Sequence, residues 1–90
     1  MSWYTYILLC DKKTYYTGIS SNLDKRVGSH KLGYNLGTKR FSNIKLVYKE
    51  KFKKRLEAEK RERQIKGWSR AKKKALVEGD INLLIRLSKS

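Results

Sequence analysis

The stretch that decides the fold is YYTGISSNLDKRVGSH, residues 15–30. Its first residues are aromatic and β-branched, the end of a strand. Gly18 inside that strand marks a bulge or a spot where another group approaches the backbone closely. Ser20, Ser21 and Asn22 then supply candidate N-caps, and Asp24 complements the dipole of the first helical turn. The helix runs to about Lys31, with Leu23 and Val27 as its apolar anchors at i, i+4. Arg26 and His30, also four apart, border that stripe, so neither is expected to project straight into water. A guanidinium and an imidazole held this way suggest a place where a phosphate is handled.

Upstream, residues 3–9 (WYTYILL) form a strand whose largely apolar character argues for a central, well-covered position. Asp11-Lys12-Lys13 is a polar turn, and residues 14–19 complete a hairpin. Downstream, a loop with Gly33, Asn35 and Gly37 carries Lys31, Lys39 and Arg40. Residues 44–50 (IKLVYKE) predict a third strand with Ile44, Leu46 and Tyr48 on one face. A charged helix follows from about Lys53 to Lys66, ended by Gly67. Ser69 caps another helix through Val77. Gly79-Asp80 stops it and caps a last one with Ile81, Leu84 and Ile85 facing inward. The order β-β-α-β-α-α-α implies a small α/β (α+β) fold, a three-stranded antiparallel sheet flanked by helices.

Ninety residues, 1–90, make one domain, and such a chain buries only about 60–65% of the surface it exposes unfolded. The apolar fraction of 39% suffices because Trp3, Tyr4, Tyr6, Phe41, Tyr48, Phe52 and Trp68 each bring a large area. The single Cys10 excludes an intramolecular disulfide and is expected to be buried. No apolar run is long enough to span a membrane, and a cytoplasmic location is expected. Twenty-three Lys and Arg against eight acids give a formal charge of +15. Solubility needs less charge than this, so a polyanionic partner is expected, nucleic acid before anionic membrane. The cations are spread along the whole chain, which disfavours the membrane.

Glu62 stands apart from the other acids of the long helix. Ala58 precedes it by four residues and Ile65 follows by three, so the three share a face, with Leu56 and Phe52 on the neighbouring stripe. A carboxylate set into a packing face is costly unless it is paired or binds a cation. Spacing alone equally allows a salt bridge to a neighbouring Lys or Arg. Glu57 and Glu59 are expected in surface ion pairs. Tyr6 and Tyr16, one on each strand of the hairpin, would ordinarily be core aromatics with a wet hydroxyl.

As a set, these residues resemble the GIY-YIG nuclease superfamily, in particular its small stand-alone bacterial members. Thr5-Tyr6-Ile7 resembles the first signature and Tyr16-Thr17-Gly18 the second, with Tyr16 ten residues after Tyr6. Arg26 falls ten residues after Tyr16 and His30 four after that. Glu57-Ala58 followed by Glu62 and the trailing IKGWSR is similar to the segment that carries the family's metal-binding glutamate. The resemblance covers residues 3 to about 78. In this chain the first signature lacks its Gly, Thr17 stands where Ile is usual, and Ile19 follows Gly18 where some relatives carry Lys.

The resemblance implies metal-dependent hydrolysis of a nucleic-acid phosphodiester, in DNA rather than RNA, structure-selective or non-specific. Glu62 would hold one Mg²⁺ or Mn²⁺, with waters and a phosphate oxygen completing the shell. Arg26 would bind the scissile phosphate. Tyr6 or Tyr16 would take the proton from the attacking water. A free phenol titrates near 10, so nearby cations would have to lower it. His30 would orient that hydroxyl or relay its proton, and Gly18 would let backbone and substrate approach. Lys39, Arg40, Arg70 and Lys72 would contact phosphates without sequence preference. The alternative is a catalytically weak or inactive basic nucleic-acid-binding module of the same fold.

Overall fold

The structure, a computed structural model, describes residues 1–35 and 37–88. Its elements are β1 (Trp3–Cys10), β2 (Thr14–Ser20), α1 (Leu23–Lys31), β3 (Ile44–Phe52), α2 (Arg55–Lys66), α3 (Arg70–Glu78) and α4 (Ile81–Ser88). This is the expected order; β3 ends two residues later than expected and α2 begins about two later. The three strands form one antiparallel sheet in the order β2-β1-β3. β1 therefore is the central strand, and β3 joins it on the side away from β2.

The apolar run of β1 is buried on both faces. Tyr6, Leu8 and Cys10 pack with Leu23 of α1 and Ile44 of β3. Ile7 points the other way, onto Ile65 of α2 and Leu76 of α3. Each Leu or Ile fully buried in this way contributes about 1.5–3 kcal/mol. Thr5 also faces α2, where its buried hydroxyl donates to the Ala58 carbonyl at 2.9 Å and pins the helix to the sheet. Among the seven large aromatics credited with core area, only Tyr6 is fully buried; Trp3, Tyr4, Phe41, Tyr48, Phe52 and Trp68 are half-buried.

A bulge in β3 corrects the expected face of Tyr48. Tyr48 pairs with Ile7 but Leu46 pairs with Leu8, leaving Val47 as an extra residue. Ile44 and Leu46 consequently pack on the α1 side, while Tyr48 and Val47 join the cluster under α2 and α3. The hairpin between β1 and β2 turns through Asp11 and Lys12, both at positive φ (51° and 61°). Asp tolerates that region better than most residues. The Asp11 carboxylate accepts from the Ser42 and Asn43 backbone N–H groups at 2.9 and 2.7 Å, tying the turn to the entry of β3.

Asn22 takes the cap of α1, its side chain accepting from Lys25 N–H at 3.1 Å. Ser69 caps α3, which closes at Gly79 in the left-handed region (φ 71°). On α2 the expected ion pair of Glu57 is not among the ion pairs of the described residues. Glu57 instead accepts from the Lys54 backbone N–H at 3.2 Å, the acidic half of a capping box. Glu59 does pair, with Arg55 at 2.8 Å.

Two expected apolar stripes are rotated. The face of α2 that meets the sheet is set by Ala58 and Ile65, both fully buried. Leu56 lies about 200° round the helix from Ala58 and is 57% exposed. In α4 the packing residue is Leu84, with Leu83 and Leu87 half-buried, whereas Ile81 and Ile85 are exposed. Ile65→Ala should therefore cost about 2–5 kcal/mol in urea unfolding. Leu56→Ala should stay within about 0.5 kcal/mol of wild type.

Candidate active site

The hairpin and α1 bring three rings together on one face of the sheet. Tyr6 is the register partner of Gly18 on β2. A Cβ at Gly18 would lie 2.6 Å from the Tyr6 hydroxyl and 2.7 Å from its ring carbon Cζ. What approaches the backbone at Gly18 is thus the chain's own phenol, lying across a strand that has no side chain there. From that position the Tyr6 hydroxyl makes a 2.9 Å hydrogen bond with His30 Nε2. The Tyr16 ring meets the same imidazole edge-on, 5.1 Å between centroids.

His30 is buried on the last turn of α1. Its second nitrogen, Nδ1, lies 2.6 Å from the Thr38 hydroxyl, itself fully buried. Tyr6, His30 and Thr38 form one buried hydrogen-bonded chain. Thr38 escaped the sequence reading because it stands eight residues after His30 in an irregular loop with no periodicity to mark it. Burial holds the imidazole below its ordinary titration range, and the nearby Arg26 cation acts in the same direction. A neutral ring has one N–H to donate and one lone pair to accept with, which suits hydroxyl partners on both sides.

Arg26 and Glu62 complete the setting. Both act electrostatically on the Tyr6 phenol, as does Tyr16. Burial is the largest influence and pushes Tyr6 far above an ordinary phenol; Tyr16 adds to this, Arg26 opposes it and Glu62 adds a little more. The expectation that neighbouring cations lower the phenol therefore does not hold at Tyr6, where desolvation outweighs the guanidinium. Arg26 is also more exposed than its place beside the apolar stripe suggests. It lines an open groove of about 460 Å³ with Ser20, Asn22 and Lys25.

Glu62 is half-buried and sits 3.5 Å from Lys66 Nζ, one helical turn on, so the ion pair allowed by spacing is formed. Among the described residues no three His, Cys, Asp or Glu side chains cluster closely enough to cage a metal. One hard carboxylate suits a cation such as Mg²⁺, which keeps most of its water and takes further oxygens from a phosphate. Lys66 is mostly exposed and held by a single long contact, so it can swing aside at little cost.

The other expected contacts lie outside this cluster. Lys39 and Arg40 are exposed beside Thr38, with Arg40 over the Phe41 ring at 4.9 Å. Arg70 stacks over Tyr15 at 5.0 Å and Lys72 over Trp68 at 4.2 Å. Tyr15 packs in the cluster under α2 and α3, and Tyr16 in the one under α1.

The buried chain yields two measurable outcomes. Thr38→Val leaves a buried imidazole nitrogen unpaired and should cost about 1–3 kcal/mol in chemical denaturation, while Thr38→Ser should recover most of it. Because folding lowers the affinity of His30 for a proton, the unfolded chain binds the extra proton below about pH 6.5. Stability should therefore be fully present above that value and fall as the pH drops toward the lowered folded value. In His30→Gln the slope between about pH 7 and 5 should be shallower.

Comparison with known proteins places the chain in a family. Residues 2–75 match the model of the GIY-YIG catalytic domain. A UPF0213 protein of Natronomonas pharaonis is 40% identical over 75 residues, covering 82% of this chain and 88% of that protein. One from Staphylococcus haemolyticus is 37% identical over 76 residues, covering 83% and 93%. Among solved structures, the solution NMR structure of a UPF0213 protein from Bacillus halodurans has a TM-score of 0.57 at 34% identity, covering 87% of this chain and 84% of that one. That of a protein from E. faecalis has a TM-score of 0.61 at 30% identity, covering 88% and 85%. The match spans most of the chain, and the chain belongs to the GIY-YIG catalytic-domain family.

Proposed function

We propose that the chain is a divalent-metal-dependent endonuclease that hydrolyses phosphodiester bonds in nucleic acid, DNA in preference to RNA, without reading sequence. The observation that carries this is the gathering of Tyr6, Tyr16, Arg26, His30 and Glu62 around one phenol–imidazole contact, from four separate elements. The formal charge of +15 supplies the attraction to a polyanion. Among the described residues no helix is long and apolar enough to cross a membrane.

The roles divide by exposure. Arg26 reaches the open groove, where its guanidinium hydrogen-bonds non-bridging oxygens of the scissile phosphate and offsets charge built up as the phosphorus is attacked. Tyr6 is almost fully buried and its proton is held tightly, so it serves as a neutral positioning group. Tyr16 is half-buried and reaches solvent, so its hydroxyl oxygen is the one placed to take the proton of the attacking water. The imidazole of His30, fixed by Tyr6 and Thr38, holds the Tyr16 ring in place through its edge contact. Glu62 would hold Mg²⁺ or Mn²⁺, which supplies Lewis-acid stabilisation of the developing negative charge.

The test is cleavage of branched, nicked and single-stranded DNA with Mg²⁺ or Mn²⁺. Glu62→Gln, Arg26→Ala and Tyr16→Phe should each lose about 100-fold or more in rate while still binding substrate in EDTA. A wild type that binds tightly yet cuts no substrate with either metal would leave the basic binding module. The Lys66 contact on Glu62 is the feature that favours that second reading.

A further inference from the structure

β2 is an edge strand, since among the described residues β1 is its only strand partner. The opposite edge, β3, carries Lys45, Lys49 and Lys51, the usual protection of a free edge against pairing with another chain. β2 (TYYTGIS) carries no charge at all. Its two ends open instead onto basic grooves. At the Ser20 end lies the groove with Lys25 and Arg26. At the Thr14 end lies a second groove of about 150 Å³, lined by Lys13, Thr14, Tyr15, Arg70 and Lys73. Neither groove is lined by an acid, and none of these cations belongs to an ion pair among the described residues. Arg70 is already held in place over the Tyr15 ring, so less freedom is lost when it takes a phosphate. Tyr16 and Gly18 lie between the two grooves.

We propose that the β2 edge is the track for one nucleic-acid strand, gripped at its phosphates by both grooves and presented to Tyr16 midway. This deepens the nuclease reading and rests on it for the position of the cut. Thr14 to Ser20 spans about 20 Å at a strand's rise per residue. Backbone contacts of this kind fix the register of the strand and leave sequence unread.

The experiment is fluorescence anisotropy with a labelled 16-bp DNA duplex in EDTA across a KCl series, on variants whose folding is checked by circular dichroism. The double variant Lys13→Glu/Lys73→Glu should lower the slope of log affinity against log salt by about 1.8, and Lys25→Glu by about 0.9. The same charge change on the other edge, Lys45→Glu/Lys51→Glu, should alter the slope by less than about 0.5, because distant surface charges are screened at physiological salt. Equal slope losses at both edges, or an unchanged slope in Lys13→Glu/Lys73→Glu, would overturn the track. Binding is read without cleavage, so a wild type that follows this pattern but never cuts overturns only the nuclease reading.

Discussion

Everything at the centre of this molecule depends on the space that residue 18 leaves empty. The Tyr6 ring occupies the volume a Cβ there would fill, and only from that place does its hydroxyl meet His30. That bond fixes the last turn of α1 against the sheet, and the turn's imidazole in turn fixes Tyr16 and Thr38. The approach is possible because β1 is the central strand and pairs β2 with Tyr6 opposite Gly18. Fold and site are specified by the same register. A slip of one residue would turn Tyr6 to the other face and dismantle both.

The candidate site mixes two electrical environments. Tyr6, His30 and Thr38 are dry, neutral and mutually satisfied, which suits a buried polar network. Arg26 and Glu62 lie at its margin, one exposed in a groove and the other lightly held by Lys66. A dry interior keeps geometry fixed, while a wet margin keeps the charged groups available to a ligand. The two tyrosines, indistinguishable by spacing, are separated by this division.

The sequence made the architecture legible because its signals were local. Strand alternation, the Asn22 and Ser69 caps and the Gly79 stop each act within a few residues. The five candidate site residues were singled out by their spacing in the resemblance, although their meeting depends on tertiary contacts. What escaped was decided by long-range packing. The β3 bulge moved Tyr48 to the other face, and the rotation of α2 left Leu56 in solvent. Thr38 was invisible because it is recruited by a histidine from another element. The pull of desolvation on Tyr6 needed the burial itself to be known.

α4 stands at the other end of this hierarchy. It has no buried residue, and it touches the core cluster chiefly through Leu84. Its backbone amides therefore belong to the least protected class and exchange with deuterium by local fraying, well before those of β1. The candidate site draws on β1, β2, α1 and α2, so such fraying passes without disturbing it. The chain thus confines its loosest segment to an element on which the proposed chemistry does not rely.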